Sequence, residues 1–172
     1  MKFFLAQINP IVGDLEGNAK KILNIADLAF SHSADLVLTP ELSLWGYPAK
    51  DLLFNKNLIE NQYRILEQLS ISIQRKYDDL SIAVGIAEKI EDSFFPNLYN
   101  SIVIIEGGNW KTIARKIILP TYEVFDEKRY FRSGESAVSY THLRAHETPE
   151  QRRCRRLRVK KKGGGGGGGG GG

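Results

Sequence analysis

Cysteine is almost missing from this sequence of 172 residues, which contains only Cys154. Residues 1–137 have none, so this part of the chain can form no disulfide and offers no nucleophilic thiol. A cysteine-poor composition is compatible with a reducing compartment, and we expect a cytoplasmic protein.

Long apolar runs are missing as well. The run from Phe3 to Ile8 is too short for a signal peptide or a membrane span, and Asn9-Pro10 ends it. Residues 1–137 also contain no Gly-x-Gly-x-x-Gly motif, no phosphate-loop lysine and no internal repeat. We therefore expect neither a membrane partner nor a dinucleotide-binding loop.

The last 35 residues have a different composition from the rest of the chain. Lys160 to Lys162 run into ten glycines, and Val138 to Thr148 resembles a translated sequencing-library adapter. Such a composition cannot build a packed core. We interpret residues 1–137 as one domain, or part of a larger one, and residues 138–172 as a non-native, disordered, basic and poly-Gly tail.

This division changes the sign of the net charge. Nine of the 24 basic and two of the 20 acidic residues lie in the tail, which leaves residues 1–137 with 15 basic and 18 acidic side chains. A net charge of −3 in the domain does not favour nucleic acid as a partner. The alternative is that the tail is native and the protein is a binding protein with a basic tail.

The hydrophobic pattern of the first 86 residues alternates between strands and helices. Lys2 to Ile8 is typical of a central strand buried on both faces, and Asn18 is a plausible cap for the helix that follows. The pattern then predicts a strand at Leu36–Leu38, a helix from about Asn57 to Tyr77 and a strand at Ser81–Ile86. This order predicts a largely parallel start of the sheet.

After a loop at Phe94–Asn100, two further strands are expected at Ser101–Ile105 and Trp110–Ala114, joined by a turn at Gly107-Gly108. A hairpin is antiparallel, so the sheet becomes mixed. The predicted fold class is therefore an α/β sandwich.

One carboxylate, Glu41, directly follows the strand that Thr39-Pro40 ends. Sheet enzymes of the α/β kind keep their sites at the carboxyl ends of strands, so Glu41 is a candidate catalytic residue. The alternative is a solvated carboxylate or a helix cap.

A second charged group follows the last predicted strand. Lys116 could stabilise an oxyanion if the fold closes it against Glu41, and Glu127 could complete a carboxylate, lysine and carboxylate set. The alternatives are a snorkelling Lys116 and a salt bridge from Glu127 to Arg129 or another surface cation. Tyr122 and Phe125 could be core aromatics without a chemical role.

Two long motifs connect these residues. Glu41-Leu-Ser-Leu-Trp-Gly-Tyr-Pro48 with Asp51-Leu-Leu53, and Leu119-Pro-Thr-Tyr-Glu-Val-Phe-Asp-Glu-Lys-Arg-Tyr-Phe131, occur in this order. Together with Lys116 they resemble the nitrilase, or carbon-nitrogen hydrolase, superfamily. More narrowly, residues 1–136 look like the amino-terminal glutaminase domain of the glutamine-dependent NAD synthetases.

The resemblance implies a four-layer αββα sandwich, present here in part, and a Glu-Lys-Cys triad. Glu41 would match the general base, Lys116 the oxyanion-stabilising cation and Glu127 the second carboxylate. Tyr122 and Phe125 would match residues that line the glutamine pocket or the start of an ammonia path. The family's reaction hydrolyses glutamine and passes ammonia to a synthetase domain, which uses ATP and magnesium to amidate nicotinic acid adenine dinucleotide to NAD.

The departures from the family pattern are the nucleophilic cysteine and the synthetase domain. Cys154 lies outside the family's context for the nucleophile, and no other cysteine is available. We expect this polypeptide to be inactive and marginally stable and to bind no metal. We expect the full-length protein to be a homo-oligomer. The alternative within the superfamily is a fragment of another amidase.

Overall fold

A computed structural model describes residues 1–77, 79–91, 94–122 and 125–135. The predicted boundary at residue 137, the disordered tail and Cys154 lie outside the described residues and stay predictions.

The described chain forms one mixed sheet with two α-helices. The five strands are β1 (Phe3–Leu5), β2 (Leu36–Leu38), β3 (Ser81–Lys89), β4 (Leu98–Glu106) and β5 (Asn109–Arg115). The helices are α1 (Leu15–Ser31) and α2 (Lys56–Lys76), and two short 3₁₀ helices cover Lys50–Phe54 and Glu127–Arg129. The predicted alternation of strands and helices is confirmed.

The strands are ordered β1-β2-β3-β4-β5 across the sheet. Strands β1, β2 and β3 are parallel, whereas β4 is antiparallel to both β3 and β5. The parallel start and the mixed sheet are therefore confirmed. Strand β5 therefore runs in the same direction as β2, and the carboxyl ends of these two strands lie at the same end of the sheet.

The main core lies between the helices and one face of the sheet. It contains apolar side chains from both helices and from the three middle strands, among them Ile22, Ala26, Ile65, Leu66, Leu69, Val37, Ile82, Val84 and Val103. The helical period of the residues in α1 and α2 and the two-residue period in β3 bring these side chains to one face. The opposite sheet face carries a smaller cluster of Leu36, Ala83 and Ile104, with Ile113 packed against it. One layer of helices on one sheet is the part of an αββα sandwich that the described residues form.

The prediction of a central first strand was wrong. Strand β1 is only three residues long, lies at the edge of the sheet and pairs with β2 alone among the described residues. Its side chains Phe3 and Leu5 are 57% and 72% exposed. An apolar run of this length does not distinguish a central from an edge strand, because pairing depends on distant segments.

The assignment of Asn18 as a helix cap was also wrong. Asp14 caps α1, since its carboxylate accepts a hydrogen bond from the backbone N–H of Gly17 at 2.9 Å. Asn18 is instead buried one turn later, where its side-chain amide donates to the carbonyls of Ile11 and Leu44. These bonds tie α1 to the segment that follows Glu41.

The hairpin is confirmed at its predicted turn, with Gly107 and Gly108 at φ values of 57° and 76°. Strand β3 extends to Lys89, and β4 begins at Leu98, inside the segment predicted as a loop. Long ladder pairing between β3 and β4 explains the extra length, because eight residue pairs match from Ile82–Ile105 to Lys89–Leu98. In the part of the chain that the structure describes, neither α-helix is long and apolar enough to cross a membrane.

Candidate active site

Three charged side chains from distant parts of the sequence meet at one place. The Lys116 ammonium Nζ lies 2.7 Å from Oε1 of Glu41 and 2.9 Å from Oε1 of Glu127. Glu41 follows β2, Lys116 follows β5, and Glu127 begins the second 3₁₀ helix. The structure therefore brings together the charged set that the sequence predicted.

The simpler interpretations of two of these residues do not hold. Lys116 does not snorkel to solvent, because both carboxylates hold its ammonium and its side chain is 28% exposed. Glu127 pairs with Lys116, whereas Arg129 lies 3.8 Å from Asp51. Glu127 is also buried, with its side chain 5% exposed, so it is no surface ion-pair member.

The turn that carries Glu41 is anchored on β3. The Thr39 hydroxyl donates to the carbonyl of Ala83 at 2.8 Å, and the Ser43 hydroxyl accepts from the backbone N–H of Gly85 at 3.0 Å. Leu42 adopts a left-handed backbone conformation, with φ at 46°. A non-glycine residue in this region is a strained conformation that surrounding contacts must hold.

Gly85 allows this turn to cross the sheet. A Cβ at Gly85 would lie 2.4 Å from the backbone nitrogen of Leu42 and 3.0 Å from the Pro40 carbonyl oxygen, so any larger residue would clash with backbone. The turn therefore lies directly against β3, on its way toward β4 and β5. This crossing carries Glu41 from the end of β2 to Lys116 at the end of β5.

A buried amide holds the other end of the same turn. The indole N–H of Trp45 donates to Oε1 of Gln62, on α2, and the Gln62 amide exchanges hydrogen bonds with the backbone of Ala87 at 2.9 Å in both directions. Both Trp45 and Gln62 are fully buried. Buried polar groups need partners, so this network fixes the turn against α2 and β3.

Backbone hydrogen bonds hold Lys116 on both sides. Its N–H donates to the Asn100 carbonyl at 2.8 Å, and its carbonyl accepts from Gly134 N–H at 2.9 Å. Strand pairing thus continues one residue past β5 and fixes where the lysine side chain starts.

Glu127 is fixed by a backbone hydrogen bond and by a tyrosine. Its backbone N–H donates to the Pro120 carbonyl at 3.0 Å, and its Oε1 accepts from the Tyr47 hydroxyl at 2.8 Å. The second oxygen, Oε2, is buried and has no hydrogen-bond partner in the described structure.

The charges determine how these groups ionise. Burial lowers the pKa of the Lys116 ammonium, but the hydrogen bonds to Glu41 and Glu127 outweigh burial and hold the pKa above the ordinary value of 10.5. Burial and the hydrogen bond to Glu127 both raise the pKa of the Tyr47 hydroxyl. Near neutral pH, Lys116 is therefore a cation and Tyr47 a neutral hydrogen-bond donor.

The two predicted aromatic residues lie beside this set but differ in exposure. Tyr122 is 64% exposed, which rules out a core position. Phe125 is half-buried, with its ring centroid 6.2 Å from that of Tyr47 and 5.6 Å from that of Tyr122. Phe125, Tyr47 and Glu127 line a cavity of about 190 Å³, whereas Tyr122 is not among its lining residues.

Sequence reasoning missed two contributors. Tyr47 stands in the Gly46-Tyr47-Pro48 loop, and its place in the first motif was the signal that could have drawn attention to it. Asn100, whose amide donates to Oε1 of Glu41 at 2.6 Å, was assigned to a loop, and only its strand position explains the contact. Among the described residues, no group of three His, Cys, Asp or Glu side chains could hold a metal ion.

The chain is similar to known proteins in sequence and in fold. The carbon-nitrogen hydrolase family matches residues 5–149. The glutamine-dependent NAD(+) synthetase of Synechocystis sp. is 43% identical over 133 residues, which are 76% of this chain and 23% of that protein. The solved glutamine-dependent NAD+ synthetase of Acinetobacter baumannii superposes with a TM-score of 0.70 at 35% identity, over 82% of this chain and 25% of the other.

An amidase from Nesterenkonia sp. has a TM-score of 0.62 at 20% identity and covers 79% of this chain and 49% of its own. At this identity the likeness concerns the fold alone, and it agrees with a partial nitrilase-like sandwich. The chain spans about a quarter of the length of the synthetases it matches.

Proposed function

The chain belongs to the carbon-nitrogen hydrolase family, and from this premise we propose that it supplies the base and the cation of a glutaminase site that serves NAD synthesis. The observation that carries the proposal is the position of the Lys116 ammonium between the Glu41 and Glu127 carboxylates, at 2.7 Å and 2.9 Å. The synthetases that resemble this chain supply the substrate class.

The geometry suits amide hydrolysis through a thioester. Glu41, with a side chain 44% exposed, is the group that an incoming thiol can reach, and it takes the thiol proton. The thiolate attacks the carbonyl carbon of the glutamine amide, and Lys116 stabilises the negative charge that develops on the carbonyl oxygen. The C–N bond then breaks, the leaving nitrogen takes the proton back from Glu41 and departs as ammonia, and water hydrolyses the glutamyl thioester to glutamate and the free thiol.

Residues 1–137 contain no cysteine, so the thiol of this reaction has to come from elsewhere. We propose that the 172-residue chain by itself does not hydrolyse glutamine, because Cys154 lies outside the family's context for the nucleophile and no acyl-enzyme can form without a positioned thiolate. We assign Tyr122 and Phe125 to the approach of the substrate or the exit of ammonia, since Phe125 lines the cavity and the exposed Tyr122 ring contacts Phe125.

The remaining steps belong to a part of the enzyme outside this chain. ATP and magnesium would act there, in the amidation of nicotinic acid adenine dinucleotide to NAD. A cytoplasmic location and a homo-oligomeric full-length protein complete the proposal.

A chimera tests the function. Residues 1–135 of this chain replace the matching segment of the Acinetobacter baumannii synthetase, and NAD formation is measured with glutamine or with ammonium as the nitrogen source. We expect activity with both, and Glu41→Gln should abolish glutamine use but spare ammonium use. A chimera that uses ammonium but not glutamine would refute the proposal, and hydrolysis of simple amides in preference to glutamine would favour another amidase.

A further inference from the structure

Asn100 contacts both halves of the charged set. Its side-chain amide Nδ2 donates to Oε1 of Glu41 at 2.6 Å, and its backbone carbonyl accepts from the N–H of Lys116 at 2.8 Å. The residue is only 5% exposed and lies in β4, directly opposite Ala87 of β3. One strand residue therefore links the base to the lysine.

The environments of Asn100 and Glu41 differ. Asn100 belongs to a strand that pairs on both sides, so its position is rigid. Glu41 lies on a turn, and its side chain is 44% exposed. A carboxylate on an exposed turn keeps rotational freedom unless a fixed donor holds it.

The hydrogen bonds to Glu41 are unequal between its two oxygens. Oε1 accepts from Asn100 and from Lys116, at 2.6 Å and 2.7 Å. In the described part of the chain, no donor contacts Oε2. The two donors occupy Oε1 and leave Oε2 as the oxygen that can accept a further hydrogen bond.

We propose that Asn100 is a positioning residue, which holds Oε1 of Glu41 next to Lys116 so that Oε2 is the oxygen that receives the thiol proton. The part played in the reaction rests on the proposed function, but the orientation of the carboxylate does not. A neutral amide suits this task, because it donates to the carboxylate without adding a second cation that would compete with Lys116.

Nuclear magnetic resonance on the full 172-residue chain tests the contact without any enzymatic assay. In Glu41→Ala, we expect the side-chain amide protons of Asn100 to exchange with solvent about tenfold faster or more, the factor that corresponds to loss of one charge-assisted hydrogen bond. Glu60→Ala is the matched control, since it removes an exposed carboxylate that bonds to Lys89 instead. Unchanged exchange at Asn100 in Glu41→Ala would overturn the proposal.

The reciprocal measurement separates positioning from a merely structural role. We expect the carboxyl carbon signal of Glu41 to move in Asn100→Ala and to stay in place in Ser101→Ala. Ser101 is the next residue of β4 and is also buried, but its hydroxyl donates to Glu88. Equal Glu41 signals in both variants would refute the proposal. If Asn100→Ala does not fold, the Glu41→Ala measurement still decides, because Glu41 is outside the core. The two NMR measurements do not depend on the glutaminase assay. A failed glutaminase assay would therefore count against the proposed function alone.

Discussion

Lys116 Nζ lies 2.7 Å from Oε1 of Glu41, although the two residues are 75 positions apart in the chain. The contact depends on the shared direction of β2 and β5 and on the passage of the Glu41 turn over Gly85. Glu127 holds the same ammonium from its buried side. The lysine is therefore a fixed cation between two anions, and its replacement has different consequences from the loss of a surface charge.

Replacing Lys116 by methionine should lower glutamine-dependent NAD formation in the chimera by about 100-fold or more, because the oxyanion loses its cation. Ammonium-dependent formation should stay unchanged. Lys128→Met is the matched control, because this exposed lysine follows Glu127 without contacting Glu41. Equal glutamine-dependent rates in the two variants would contradict the role of Lys116.

Asn100→Asp should reduce the glutamine-dependent kcat by about tenfold or more, with little change in KM, because a misplaced base slows the chemical step and not substrate binding. Aspartate has nearly the same size, but it cannot donate to Glu41 and places a like charge beside it. Steady-state kinetics on the chimera measure this, with Ser101→Ala as the control that should keep its kcat. A change confined to KM would argue for a binding role.

Gly85→Ala should destabilise the chain by about 2 kcal/mol, since the new Cβ would meet the Leu42 backbone at 2.4 Å. The turn must shift, and glutamine use by the chimera should fall with it. Gly107→Ala is the comparison: a Cβ there meets nothing within 4 Å, although its φ of 57° costs about 1 kcal/mol. Urea unfolding measures the two free energies of unfolding. Full glutamine use by the Gly85→Ala chimera would disprove the role of Gly85 in the passage of the Glu41 turn over the sheet.

Gln62→Leu should cost about 3 kcal/mol, because it leaves the Trp45 indole N–H and the Ala87 backbone groups buried without partners. Gln68→Leu makes the same chemical change at an exposed position of α2 and should change the free energy of unfolding by less than about 0.5 kcal/mol. Similar unfolding midpoints for both variants would show that the network does not hold the turn.

The ion pair between Glu88 and Arg115 should make the free energy of unfolding depend on pH in the acidic range. Arg115 donates to both oxygens of Glu88, at 2.7 Å and 2.8 Å, and Ser101 and Thr112 donate as well. Burial raises the pKa of the Glu88 carboxyl, but these bonds outweigh burial and leave the pKa below the ordinary 4.5. The folded state therefore binds this proton less readily than the unfolded chain does.

It follows that the stabilisation by Glu88 is complete above about pH 4.5 and is lost as the pH falls through the lower folded value. Glu88→Gln should lower the free energy of unfolding by about 2 kcal/mol at pH 7. Between pH 5 and pH 3, the free energy of unfolding should fall less in this variant than in the unsubstituted chain. Urea unfolding across this range measures the difference. If the free energy of unfolding falls with pH in parallel for Glu88→Gln and the unsubstituted chain, the acid dependence does not come from Glu88.

The sequence predicts the secondary-structure elements and the candidate site to different extents. The bounds of α2, β2 and the β4–β5 turn follow from local periodicity, from Pro40 and from the paired glycines, and all three are found within a few residues of their prediction. The edge position of β1, the inward-facing Asn18 and the extension of β4 back to Leu98 are not encoded locally. They depend on which distant segment supplies the hydrogen-bond partner.

By itself, the sequence determined the alternation of strands and helices, the strand-end position of Glu41 and the motif that marks Lys116 and Glu127, because these are properties of neighbouring residues. Only the tertiary structure decided that Glu41, Lys116 and Glu127 share one set of hydrogen bonds, that Tyr47 and Asn100 join them, and that Tyr122 remains exposed. The physical reason is that these contacts join segments 11 to 80 residues apart. Their distances are set by strand register and by the close approach of a turn to Gly85, which no local pattern specifies.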